Sequence, residues 1–147
     1  MLDKIDRQLI ELLRQDARLS YRDLGEQVSL SANTVADRVR RLVNENILLG
    51  FSAKVNFAAL DLNVQAVIDV KMLPTTSAAF FESAIASIPG VVEATLTTGS
   101  YDYILRVVCA EHADLVTLIE ALRSRAGVQD THSRVVLRQV NLNAPLT

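Results

Sequence analysis

Arg38, Arg40 and Arg41 fall close together behind Ser31, Asn33, Thr34 and Asp37. Arginine presents a planar fork of donors that fits phosphate oxygens or the edge of guanine, and Asn and Thr near a helix start can read base edges. The chemistry this group offers is charge pairing and hydrogen bonding to double-stranded DNA. A second group, Thr98-Gly-Ser-Tyr-Asp102, combines open backbone amides with a carboxylate and an aromatic ring. Amides around Gly99 and Ser100 can donate to an α-carboxylate, Asp102 can take an ammonium, and Tyr101 can line a side-chain pocket, so the group suits a small amino acid. Both groups also have simpler accounts. A charge run on a helix is usually a solvated face, and Gly, Ser and Asp between strands are ordinary turn formers, which on spacing alone is the better account of 98–102.

The elements that would position the first group follow from periodicity. Val35, Val39, Leu42 and Val43 recur at helical spacing, with Asn33, Thr34, Asp37, Arg38 and Arg41 on the other side and Ser31 as N-cap. Upstream, Ile5, Leu9, Leu12 and Leu13 predict a helix from Asp3 to Gln15. Ser20 and Asp23 have capping-box spacing and open a short helix that holds Leu24 and Val28 inward. Gly25 within that helix weakens it, and close approach by the next helix is its expected reason. The turn Ser29-Leu30-Ser31 leads into the arginine-bearing helix, which completes a helix-turn-helix. Asn46 reads as a left-handed C-cap, and Ile47–Val55 as an extended ribbon that suits a wing or a linker.

The period then changes. Helix-turn-helix pattern fills 1–50, an extended linker is expected over 51–63, and 64–147 forms a second domain. Val64, Ala66, Ile68, Val70 and Met72 alternate along a strand; Pro74–Ser77 breaks it and caps a helix carrying Phe80, Phe81, Ala84, Ile85 and Ile88. Val91–Thr98 and Tyr103–Cys109 read as strands, Leu115, Leu118, Ile119 and Leu122 mark a helix ending near Gly127, and Thr131–Val140 is a fourth strand. The order βαββαβ is the ferredoxin-like plan, with both helices on one face of an antiparallel sheet, so the fold class is α+β. The other face keeps Val67 and either Tyr103, Leu105 and Val107 or Ile104 and Val108. An uncovered apolar face calls for a partner, and a two-fold dimer would offer two recognition helices to successive major grooves.

Composition limits the alternatives. With 147 residues, 50% hydrophobic and 22% charged, the chain can bury one or two cores. A net charge of -2 argues against a generic nucleic-acid coat, although segment 31–43 alone carries three arginines against Asp37. Cys109 is the single cysteine and lies in an apolar run, where a core thiol is expected and a disulfide is impossible within the chain. His112 opens a helix and His132 lies on a strand, Asp69 reads as solvent-facing, and no catalytic or metal-binding cluster emerges. With no membrane-spanning run and no signal-peptide core, a cytoplasmic, nucleoid-associated protein is expected.

Leu2-Asp-Lys-Ile-Asp-Arg-Gln-Leu-Ile10, Asp16-Ala-Arg-Leu-Ser20, Leu24-Gly25, Leu30-Ser31, Arg38-Val-Arg-Arg-Leu42 and Ile47-Leu-Leu-Gly-Phe51 resemble the N-terminal half of the leucine-responsive/asparagine regulator (Lrp/AsnC) transcription factors. Gly99-Ser-Tyr-Asp102 resembles the Gly-x-Tyr/Phe-Asp motif of that family's ligand-binding half. The resemblance implies a DNA-binding regulator with a winged or ribbon-trailed helix-turn-helix and a sensing and oligomerisation domain. It also implies dimers that assemble into tetramers or octamers, no cofactor beyond an amino-acid effector, and effector binding at Thr98–Asp102, with Thr131 and Ser133 as weaker candidates to complete the pocket. Two departures affect turn geometry: Ser29 stands where the family usually has Gly, and Phe57 where Pro commonly follows Asn. Rival readings are an effector-independent architectural DNA-binding protein, an RNA-binding module, or a small α+β barrel enzyme with an accessory N-terminal domain. The RNA reading needs stacking aromatics in a Lys/Arg-Gly-Phe/Tyr-type motif, and Tyr101–Val108 lacks both its spacing and its exposed basic residues.

Overall fold

A computed structural model describes residues 1–147, which divide into two compact units, Met1–Lys54 with Val140–Thr147, and Val55–Gln139. The first holds three helices: α1 (Lys4–Gln15), α2 (Tyr21–Val28) and α3 (Ala32–Asn44). Asp3 caps α1 and Ser20 caps α2, each in a reciprocal capping box with the residue three positions on, Asp6 and Asp23. Leu9, Leu13, Leu24, Val35 and Val39 form the core, with Ile5, Leu12, Leu19, Val28, Leu30 and Leu48 packed around it.

Gly25 has a steric reason. A Cβ there would lie 2.3 Å from the carbonyl oxygen of Leu30, whose amide donates back to the Gly25 carbonyl at 2.9 Å. The close approach therefore comes from the turn backbone and not from the body of the next helix. Ser29 occupies the left-handed region at φ 59°, and so does Asn46 at φ 57°. Beyond it no wing forms: residues 47–55 carry no strand, which leaves the linker of the two alternatives. The amides of Ile47 and Leu48 both return to the Leu42 carbonyl, closing the end of α3, and no neighbouring strand of this unit pairs with the rest. Phe57 opens a 3-10 turn, Phe57–Leu60.

The second unit is an antiparallel four-stranded sheet of β1 (Val64–Met72), β2 (Val91–Leu96), β3 (Tyr103–Cys109) and β4 (Val128–Val135), in the order β2-β3-β1-β4. Helices α4 (Ala78–Ala86) and α5 (His112–Arg125) complete the βαββαβ order. Val64, Ala66, Ile68, Val70, Tyr103, Leu105 and Val107 face the helices and pack with Phe81, Ile85, Leu115, Leu118 and Leu122. The rings of Phe81 and Tyr103 lie 4.6 Å apart.

Two expectations need correction here. Phe80 is 55% exposed, because Phe81, Ile85 and Ile88 already form the buried stripe of their segment. The fourth strand is shifted: it begins at Val128, opposite Met72, and ends at Val135 after pairing with Ala66. By contacts, Val140–Thr147 lies against the first unit, where the Leu146 amide donates to Glu11 Oε1 at 3.4 Å.

Candidate nucleic-acid interface and effector hairpin

Helix α3 begins where Ser31 Oγ accepts from the Thr34 amide at 3.2 Å and shares a 2.8 Å hydrogen bond with Thr34 Oγ1. Asn33, Asp37, Arg40 and Asn44 form one exposed stripe, roughly opposite Val35, Val39 and Leu42. Ser31 and Thr34 are exposed too. Arg38 and Arg41 lie on a flank with Thr34, half-buried, and turn toward the start of α1.

There they meet a fully buried carboxylate. Asp6, with 0% exposure, accepts from Arg38 Nη1 at 2.9 Å and from Arg41 Nη2; the same Arg38 nitrogen donates to Asp3 Oδ2 at 2.7 Å. Burial by itself pushes the Asp6 carboxyl up, but hydrogen bonds from Arg41, Arg38 and the Asp3 amide outweigh it and leave it below the ordinary carboxylate range. The Asp6 amide and then Arg38 hold Asp3 low as well. Arg40, on the exposed stripe, pairs with Asp37 at 2.7 Å.

The positive surplus read from segment 31–43 is therefore not free on the folded surface. Arg38, Arg40 and Arg41 are matched by Asp3, Asp6 and Asp37. Asp3 and Asp6 were missed as parts of this region, although the pattern held a signal. Asp6, Leu9 and Leu13 share the buried stripe of α1, and a carboxylate at an apolar position needs a cation brought to it.

The second candidate group is the hairpin between β2 and β3. The Thr97 amide donates to the Asp102 carbonyl at 2.9 Å, and the Asp102 amide to the Val70 carbonyl at 2.8 Å. Asp102 Oδ2 accepts from the Met72 amide at 2.8 Å, and Lys71 Nζ donates to the Ser100 carbonyl at 3.4 Å. Asp102 is thus first a staple that ties the loop to the end of β1, with Oδ1 left over. Thr98, Gly99 and Ser100 are exposed, Tyr101 and Asp102 half-buried, and Gly99 takes φ 110° with open space around it. Thr131 pairs with Val70 at the same end of the sheet; Ser133 pairs with Ile68 further in, its Oγ buried and without a partner.

On the helix-free face the alternatives resolve to Val67, Ile104 and Val108, while Tyr103, Leu105 and Val107 lie under the helices. Asp69, expected to face solvent, is only 16% exposed: Arg134 Nη2 donates to it at 3.2 Å, and His132 Nδ1 is 3.8 Å away. The reason is its register: His132 stands opposite Asp69 and Arg134 opposite Val67, and from those two positions on β4 both side chains reach it. Glu93 and Arg106 pair at 3.2 Å on the same face. Under the helices, Tyr103 Oη donates to Glu82 Oε1 at 2.8 Å, and burial followed by that carboxylate pushes its phenol up to about 12. Burial, then Asp114, likewise pushes the Cys109 thiol up. No helix is long and apolar enough to cross a membrane.

Comparison with known proteins agrees with this layout. Residues 2–43 match the AsnC-type helix-turn-helix domain and residues 65–146 the Lrp/AsnC ligand binding domain. An HTH-type transcriptional regulator from Pyrococcus furiosus is 30% identical, over 94% of this chain and 91% of its own. The leucine-responsive regulatory protein of Klebsiella pneumoniae is also 30% identical, over 95% of this chain and 87% of its own. Among solved structures, a transcriptional regulator from Neisseria meningitidis in complex with L-methionine superposes with a TM-score of 0.89 at 27% identity, covering 100% of this chain and 97% of that one. Helix-turn-helix, βαββαβ sheet and both domain matches lead to one assignment: the chain belongs to the Lrp/AsnC family of transcriptional regulators.

Proposed function

We propose that this regulator binds a specific double-stranded DNA sequence through Ser31, Asn33, Thr34, Asp37, Arg38, Arg40 and Arg41, and that a small amino acid modulates its DNA affinity or assembly. The observation that carries the reading is α3 itself, capped by Ser31, with Asn33, Thr34 and Arg40 exposed on a helix backed by a closed three-helix core. The Asp37–Arg40 pair is an exposed i,i+3 contact worth only about 0.3–0.5 kcal/mol, so Arg40 leaves it for a phosphate or a guanine at little cost.

The effector part of the proposal uses the hairpin. Amides near Gly99 and Ser100 receive the α-carboxylate, the spare Oδ1 of Asp102 receives the ammonium, and Tyr101, Thr98, Thr131 and Ser133 frame the rest. Because Thr98–Ser100 are open to solvent in the single chain, a second copy closes the pocket. Dimers form through the face of Val67 and Ile104, with tetramers or octamers built from them.

Selection of duplexes from a random pool, with and without a mixture of the twenty amino acids, tests both parts. Recovery of a pseudo-palindrome whose yield shifts with the mixture is the expected outcome; recovery at background level overturns the DNA-binding assignment. For the effector site the informative substitution is Asp102→Asn, since its carbonyl oxygen still accepts from Met72 while the charge is gone. Loss of the amino-acid response with unchanged basal DNA affinity is expected, and a normal response moves the site elsewhere.

A further inference from the structure

Arg38 is bound on one side only. Its Nη1 serves both Asp3 and Asp6, while none of the donors on Nη2 and Nε engages a protein group. A guanidinium carries five N–H donors, so most of this one remains available. It lines a shallow depression of about 360 Å³ together with Thr34, Asp37, Arg41 and Asp3. Two arginines and a threonine hydroxyl make a depression of phosphate-binding chemistry. Two carboxylates at the same place oppose it.

Those carboxylates are not equivalent to the one beneath them. Asp6 has no exposure and two arginine partners, so it stays in place whatever approaches from outside. Asp3 is 52% exposed and sits at the helix cap, where it holds Arg38 by a single oxygen. An incoming phosphate competes with Asp3 for Arg38 and leaves Asp6 untouched.

We propose that Asp3 is an affinity-setting residue: it competes with DNA phosphate for Arg38, while Asp6 holds the same Nη1 from the buried side and keeps the guanidinium in position. The proposal rests on the reading of α3 as the DNA-contacting helix. A regulator that must leave its operator gains from a built-in competitor, which weakens every duplex by a similar factor without touching the residues that read bases.

Asp3→Asn isolates the effect. Asparagine is as good an N-cap as aspartate, so the hydrogen bond from the Asp6 amide survives while the competing charge goes. In fluorescence-anisotropy titrations of the full chain with a selected duplex, Asp3→Asn binds about three- to fivefold tighter, the scale of one exposed ion pair. In an Arg38→Gln background, which keeps an amide donor for Asp6, the same change has no effect. Equal tightening in both backgrounds would mean a general field effect and overturns the proposal, as does unchanged affinity in both. If Arg38→Gln binds like the parent, Arg38 does not meet phosphate, and the proposal falls while DNA binding stands. If the parent takes up no duplex at all, the underlying reading of α3 falls first.

Discussion

Both halves of the chain set a carboxylate between two basic side chains, Asp6 in the helix-turn-helix and Asp69 on the sheet, yet the two are built differently. Asp6 has no exposure and is bridged from another helix by Arg38 and Arg41. Asp69 keeps 16% exposure and is covered from the neighbouring strand by Arg134 and His132, themselves 58% and 63% exposed. One of its two partners is charged only when protonated. Water can replace the partners of Asp69 without moving a strand, whereas hydrating Asp6 means separating α1 from α3. The first carboxylate therefore fixes a packing; the second belongs to a face whose contacts can still be exchanged when a partner covers it.

The largest expected effect breaks the first of these. Asp6→Ala leaves two half-buried arginines without their shared carboxylate; loss of one member of a fully buried ion pair costs about 3 kcal/mol, which is the upper bound here because Arg38 and Arg41 keep 26% and 40% exposure. Native-state amide exchange at Val35 and Val39 in the full chain should speed accordingly, while exchange at Ile68 and Leu105 stays as it was. Equal protection of α3 in the variant would show that the network contributes nothing net.

Acid sharpens the same contrast. The Asp6 carboxyl lies below its ordinary 3.8 in the folded chain, so its contribution is complete above that value and is lost as pH falls through the lowered one. Asp3 acts in the same direction. Protection of α3 should hold level from neutrality down to about pH 4 and fall below it, and Asp6→Asn should flatten that limb. A loss that sets in near pH 6 would point to a histidine and not to this network.

On the sheet the counterpart is small. Asp69→Ala removes contacts to two mostly exposed partners, and about 1 kcal/mol is the upper bound for such a pair. Exchange at Ile68 and Val70 should change by no more than about fivefold, the equivalent of that energy. A larger change would show that the face is already covered in solution.

How much of this the sequence disclosed depended on range. Period and capping are local, so α1–α3, the Ser20/Asp23 box, the Ser31 cap and the left-handed Asn46 were legible, as was the βαββαβ order. What a residue meets across the fold was not. Asp69 looked like an outward position of an alternating strand until β4 laid Arg134 over it. Arg38 and Arg41 read as free cations because Asp3 and Asp6 stand more than thirty positions away. Asp102 has the residue type for an ammonium, but its bond to the Met72 amide depends on the sheet bringing β1 alongside. The choice between wing and linker for 47–55 was open for the same reason, since an extended segment becomes a strand only where another strand lies beside it.

The smallest effect concerns the turn between α2 and α3. In the sheet unit the positive-φ positions fall to Gly90, Gly99, Gly127 and Asp61, and glycine and aspartate visit that region more readily than other residues, but at the α2 end a serine does so, at φ 59°. A non-glycine residue there costs about 1–2 kcal/mol, and glycine gives back about 0.5–1 through the larger entropy of its unfolded chain. Ser29→Gly should therefore stabilise the unit by about 0.5 kcal/mol, slowing exchange at Val35 about twofold. The hydrogen bond that Ser29 makes is from its backbone, donating to the Gly25 carbonyl, so no side-chain hydrogen bond is lost in the change. Asparagine, which tolerates the left-handed region better than serine, should fall between the two. Slower exchange in the order serine, asparagine, glycine would assign the effect to backbone strain; a gain for glycine with none for asparagine would assign it to side-chain crowding at the turn.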